Sequence, residues 1–322
     1  METQQKSILD NGKITTILFV LFIIVLTLLS VFSNKLSFHD DMEYIVVAKD
    51  LAGFENSKVF SSHSIVYPFI ISLFLKIAFS ELTLKLVNMV WFILIAFVLF
   101  KLSSRKSFLL WIFAPIAYIL FPQTSPTAPA AFFILLGYLM IKKHENEQKI
   151  KYFILSALCL GMSFALYTPS ILPIILFIIA FFYDKKLANL FYYLAWMLPT
   201  IAITLILDYI YFGNPFYSII WYMGVNILIA LGLNQNIAFS QISNIGGSIL
   251  LFLVGISPLL FKIVKLDFKK YKRELIIIIP LVLFFIFRAA AELKYMLLIA
   301  PIILILLSTV LTKKQIIISA VI

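Results

Sequence analysis

The chain has 322 residues, of which 63% are hydrophobic and 13% charged, with a mean hydropathy of +1.06. Soluble domains carry about 25% charged residues, so this composition excludes a water-soluble fold and places the chain in a bilayer. The formal charge of +11 does not mark a nucleic-acid binder, because the basic residues form short clusters between apolar runs, as the loops of membrane proteins do. A lone cysteine, Cys159, excludes an internal disulfide and any metal site built on thiolates.

Apolar stretches recur from Thr15 to Ile322. A spanning helix needs about 20 mostly apolar residues, which leaves room for roughly nine to eleven of them. The expectation is an all-α polytopic integral membrane protein, with residues 1–322 as a single membrane domain. The first stretch, Ile14 to Phe32, follows basic residues but exceeds the ~7–15-residue core of a signal peptide and lacks a small-x-small cleavage pattern. It reads as a retained first helix.

The clusters Lys6/Lys13, Lys101/Arg105/Lys106, Lys142/Lys143/Lys149/Lys151, Lys185/Lys186, Lys262 to Arg273 and Lys313/Lys314 all belong on the cytoplasmic face by the positive-inside rule. Between them the chain divides into helical hairpins with polar, mostly uncharged turns. Leu109 to Ile141 turns at Phe121 to Pro129, where three prolines interrupt the helix. Tyr152 to Tyr183 turns at Tyr167 to Ser170, and Leu275 to Leu311 turns at Arg288 to Tyr295. Residues 34–64 form a first outer loop, 208–245 a second outer segment and 288–295 a third outer turn. Parity fails once: runs 65–79 and 86–100 would together return Lys101 to the outside. The first has 15 residues, so it is expected to be short or tilted.

The outer loop carries His39-Asp40-Asp41-Met42-Glu43-Tyr44 in a chain with only 15 acidic residues, and His63 closes the same segment. Asp40, Tyr44, Val47 and Leu51 share one helical face, which predicts an amphipathic helix on the membrane surface. Asp40 with Glu43 three residues on is also a capping-box pattern that needs no chemistry. Asp41 exceeds what a cap requires, and the doubled acid suits a general base. His39, His63 and Asp41 leave a divalent-metal site open, without the spacing of a dedicated one; no other cofactor is expected. Gln235, Asn236, Gln241 and Asn244 extend the outer polar surface. Asp208 and Asn214 read mainly as turn formers around Phe212-Gly213-Asn214-Pro215.

The stretch from Asp40 to Ala48 resembles the D-(D/E)-x-x-Y-x-x-x-A signature of the GT-C class of membrane glycosyltransferases, which includes the protein O-mannosyltransferases and the aminoarabinose transferase acting on lipid A. His63 to Pro68, Asp208 to Ser218 and Arg288 to Pro301 resemble further segments of that class. The resemblance implies a GT-C-like fold and sugar transfer, hexosyl or mannosyl, from a polyprenyl- or dolichyl-phosphate donor to a glycan, lipid or protein acceptor. It implies that Asp40 is the base; the chemistry by itself allows Asp40 or Asp41 in that role, and both are the candidate catalytic residues. Glu43, Tyr44, His63, Tyr67, Arg288, Glu292, Lys294 and Tyr295 are the candidate substrate-binding residues. The chemistry itself asks for a cation at the leaving phosphate, which Arg288, one of three arginines, and Lys294 supply. The active site is expected to face outside the plasma membrane. A transporter or flippase and a noncatalytic GT-C relative stay as alternatives; transporters bury ionisable residues mid-helix, and the sequence offers essentially Lys76 there.

Overall fold

A computed structural model describes residues 12–33, 42–54, 63–230, 255–257, 259–287, 293–312 and 315–316, with backbone alone for 225–230, 285–287 and 293. The described residues are helical with no strand. The elements are α1 (Gly12–Phe32), α2 (Met42–Ala52), α3 (Val66–Ile77), α4 (Glu81–Val98), α5 (Arg105–Ile112), α6 (Pro115–Leu120), α7 (Thr127–Glu147), α8 (Ile150–Leu166), α9 (Ile171–Phe182), α10 (Leu187–Phe212), α11 (Tyr217–Ala230), α12 (Lys272–Phe287), α13 (Leu293–Leu297) and α14 (Ala300–Val310). The all-α polytopic membrane architecture expected from composition is the one observed. Among the described residues, α1, α4 with its π-helical continuation to Ser103, and α10 are long and apolar enough to cross a bilayer, and four shorter apolar helices stand beside them. The outer faces of α1 and α10 expose Val20, Ile24, Leu28, Leu198 and Ile206, the inverse of a soluble helix and the surface that lipid covers.

Boundaries follow local chemistry. Ser80 caps α4 by accepting the Thr83 N–H at 3.1 Å, and Ser104 and Ser107 form a reciprocal capping box on α5. The Phe121 to Pro129 segment splits the chain into α6 and α7, with the turn ending at Pro126. The turn at Tyr167 to Ser170 lies where expected, as a 3-10 turn over Thr168–Ser170 between α8 and α9. Pro199 inside α10 leaves the Ala195 carbonyl without its helical donor. Gly161 of α8 faces that helix so closely that a Cβ would lie 2.6 Å from the Met197 carbonyl oxygen, the small-residue contact that lets membrane helices approach.

The two ends of the bundle differ in charge. A methyl group on Gly12 would lie 3.6 Å from the Arg105 guanidinium, and Lys106 donates to the Leu311 carbonyl at 2.9 Å. On that basic end Lys142 pairs with buried Glu274 at 3.0 Å, and Arg273 bridges Glu145 and Asp184. At the opposite end Lys85 donates to the Ser33 carbonyl at the close of α1. The start of α1 and the end of α4 therefore share the basic end, which resolves the parity problem. Between them, α3 has 12 residues and rises about 18 Å, short of the ~30 Å of hydrocarbon. It dips in without crossing.

Lys76, the ionisable residue expected within the membrane, is exposed in the last turn of this short helix. The buried acidic and basic side chains among the described residues are Lys85, Asp208, Glu274 and Lys294. Each belongs to a helix-end network.

Candidate active site

The amphipathic helix expected after the acidic loop is α2. It buries Tyr44, Ile45, Val47 and Ala48 and leaves Leu51 half-buried, so its apolar stripe has the period of a helix on a surface. The surface is protein: Tyr44, Ile45 and Ala48 pack with Val66, Tyr67, Ile71 and Leu75 of α3, Leu84 of α4, and Ala165 and Leu166 of α8. Tyr211 of α10 donates a hydrogen bond to Asp50 and holds the far end of α2.

Above this cluster the His63 ring stacks on Tyr44, with centroids 5.0 Å apart and 25° between planes, and Tyr67 meets Tyr44 edge-on at 5.8 Å. The His63 Nε2 lies 4.0 Å from a Glu43 carboxylate oxygen. Tyr67 is fully buried and Tyr44 nearly so, whereas His63 and Glu43 are half-buried. The aromatic pair thus presents His63 and Glu43 at the rim. Next along the chain, buried Ser64 donates its hydroxyl to the Ala165 carbonyl at the end of α8.

Two residues beyond Ala165, Tyr167 stacks on Tyr295, with centroids 6.2 Å apart and 26° between planes. The Lys294 ammonium sits 5.6 Å from the Tyr295 ring, a cation–π arrangement. Its side chain is 3% exposed and lines a hollow of about 10 Å³ with Asn88, Gln123, Ser125 and Thr127, room for about one water. Asn88 donates to the carbonyls of Phe121 at 2.7 Å and Gln123 at 2.6 Å, while its own Oδ1 and the Thr124 hydroxyl meet no hydrogen-bond partner among the described residues. The α8 terminus therefore joins the Ser64–His63 side of the site to the Tyr295–Lys294 side.

A third element closes in from α10. The buried Asp208 carboxylate accepts from the Ser218 N–H at 2.8 Å and the Ser218 hydroxyl at 2.6 Å. Gly213 takes a left-handed φ of +74°, and Asn214 Oδ1 accepts the Phe216 N–H at 2.9 Å. Asp208 and Asn214 are thus the turn formers expected. The turn stacks Tyr217 on Phe212 at 3.9 Å. Burial, then the Asp208 and Glu43 carboxylates, hold the Tyr217 phenol above its ordinary pKa, which brings Glu43, Tyr217 and Asp208 into one electrostatic neighbourhood.

Of the candidate residues from the sequence, Glu43, Tyr44, His63, Tyr67, Lys294 and Tyr295 are thus placed at one end of the bundle. Asp40, Asp41, Arg288 and Glu292 lie outside the described residues, as do His39, Gln235, Asn236, Gln241 and Asn244. Among the described residues no group of three His, Cys, Asp or Glu side chains could hold a metal ion. Sequence reasoning missed Asn88, Tyr167 and Tyr217 as members of the site. Asn88 had a signal, an amide inside the apolar run Leu86 to Phe92; the two tyrosines had none among 15 in the chain.

No family model matches this sequence, and no curated protein does. Solved structures do. ArnT from Cupriavidus metallidurans in the apo state superposes with a TM-score of 0.66 at 12% identity, covering 93% of this chain and 60% of that one. The same protein bound to undecaprenyl phosphate superposes with a TM-score of 0.60, at the same identity and coverage. ArnT is an aminoarabinose transferase of the GT-C class. The chain has a GT-C-like fold. It spans about 60% of the length of the ArnT chain it matches. Within that fold, the first acidic loop leads into α2 against the bundle end.

Proposed function

We propose that this protein is a glycosyltransferase that moves a sugar, a hexose such as mannose, from a polyprenyl- or dolichyl-phosphate donor to a glycan, lipid or protein acceptor on the extracytoplasmic side of the plasma membrane. In this reading Asp40 takes the proton of an acceptor hydroxyl, and Asp41 supports it. The acceptor oxygen attacks the anomeric carbon as the bond to the phosphate oxygen breaks, with inversion. Arg288 and Lys294 stabilise the charge that develops on the leaving polyprenyl phosphate. His63, Glu43, Tyr44 and Tyr67 order the acceptor side, and Tyr295 with Glu292 orders the cationic side.

One observation carries this reading. Ser64 and Tyr295, 231 positions apart in sequence, both attach to the three residues Ala165 to Tyr167, so the segments following the acidic loop and the Arg288 turn meet at one end of the membrane domain. The GT-C-like fold, and the undecaprenyl phosphate held by ArnT, support a lipid-linked donor.

The deciding experiment uses purified protein in detergent with polyprenyl-phosphate-linked hexoses and follows release of polyprenyl phosphate. Wild type releases it, and Asp40→Asn, with an unchanged helical spectrum, abolishes release. Full release by Asp40→Asn removes Asp40 as the base. Solute uptake into proteoliposomes without sugar transfer replaces the transferase reading with a transporter.

A further inference from the structure

The basic end carries a second feature that sugar transfer does not use. After a 3-10 turn at Leu260–Lys265, the chain runs through Phe268 into α12. Two apolar hollows flank α12. One, of about 300 Å³, is lined by Leu260, Phe268, Leu275, Ile279, Leu283 and Ile303. The other, of about 440 Å³, lies toward Leu176 of α9 and shares Phe268, Leu275 and Ile279, with Lys272 at its edge. From Lys272 to Leu283, α12 rises about 16 Å, close to the ~15 Å of one leaflet's hydrocarbon.

The same short segment that supplies the apolar walls supplies Lys262, Lys265, Lys269, Lys270 and Lys272. None of these five pairs with a carboxylate among the described residues. The nearby acids are committed elsewhere: Glu274 to Lys142 and to the Tyr138 hydroxyl, and Asp267 to the N–H groups of Lys269 and Lys270. Arg273 is committed too, to Glu145 and Asp184. The segment that walls the two apolar hollows therefore carries net positive charge, five lysines against Asp267, with Lys272 at the edge of one hollow.

We infer that this face is a binding site for an anionic diacyl phospholipid of the basic-side leaflet, its two acyl chains in the two hollows and its phosphate among Lys262, Lys265 and Lys272. The chemistry on both sides of the contact matches. Apolar walls take hydrocarbon, and clustered ammonium groups at the headgroup level take a negative phosphate. A zwitterionic lipid fills the hollows equally well but brings no net charge to the lysines.

The test is lipid retention. Protein reconstituted in equimolar phosphatidylglycerol and phosphatidylcholine is extracted into detergent, and the lipid that stays bound is measured by native mass spectrometry. Wild type is expected to retain phosphatidylglycerol about tenfold over phosphatidylcholine, and the triple variant Lys262→Gln/Lys265→Gln/Lys272→Gln to lose that preference. Ile279→Trp, which fills both hollows, should lose bound lipid of either kind. Lys185→Gln/Lys186→Gln, exposed lysines between α9 and α10, should retain phosphatidylglycerol as wild type does. Equal retention of the two lipids by wild type, which needs no variant to fold, overturns the site. So does an equal loss of preference in the Lys185/Lys186 variant, since the attraction would then be diffuse.

Discussion

His63 lies flat on Tyr44, with ring centroids 5.0 Å apart, and turns its Nε2 toward the Glu43 carboxylate 4.0 Å away. The stack places an imidazole and a carboxylate at the rim of the site on a base that cannot shift, because Tyr44 is 1% exposed and braced edge-on by Tyr67. Removing the imidazole should therefore reduce transfer without unfolding α2. His63→Ala is expected to lower kcat/KM by at least about tenfold, the scale of one lost polar contact in a transition state. Tyr44→Phe, which keeps the stack, should stay near wild type. Wild-type kinetics in His63→Ala would remove the residue from the site.

Lys294 is a buried ammonium beside the amide of Asn88 and the Tyr295 ring. Lys294→Met keeps the length of the side chain and removes its charge, so it should raise the KM for the lipid-linked donor about tenfold or more at an unchanged helical spectrum. A lower melting temperature with an unchanged KM would mark Lys294 as structural.

Ser156 donates to the Gly137 carbonyl at 2.8 Å, so its oxygen is free to accept the Tyr193 phenol 2.6 Å away. This buried chain ties α7, α8 and α10 together. Tyr193→Phe removes one bond and should cost about 0.5–1.5 kcal/mol, whereas Ser156→Ala strands a fully buried phenol and should cost about 1–3 kcal/mol. Thermal unfolding in detergent ranks the two, and the reverse order would contradict the assigned donor direction.

At Gly161 a Cβ would sit 2.1 Å from Thr200 Oγ1 and 2.6 Å from the Met197 carbonyl. The threonine side chain can rotate away; the backbone carbonyl cannot. Gly161→Ala should destabilise by about 1–3 kcal/mol through overpacking, and Gly161→Val by more, as read from melting temperature. A melting temperature unchanged in both would show that α8 and α10 separate readily.

Composition and apolar run length alone dictated an all-α membrane protein, because no solvent but lipid accepts a chain so poor in charge. Turn chemistry was largely local: helices end at the proline- and glycine-bearing stretches Phe121 to Pro126, Tyr167 to Ser170 and Phe212 to Pro215, although Pro199 and Pro280 sit inside α10 and α12. The amphipathic period of residues 44–51 likewise specified α2, although not that its apolar stripe would rest on α3 and the α8 terminus. Whether a 15-residue apolar run crosses depends on what covers its ends, and only tertiary packing, with Gly12 beside Arg105, settled that α3 does not. Tyr167 and Asn88 joined the site for the same reason. Their partners, Tyr295 and Gln123, are distant in sequence, and no local periodicity encodes which helix ends a folded bundle brings together.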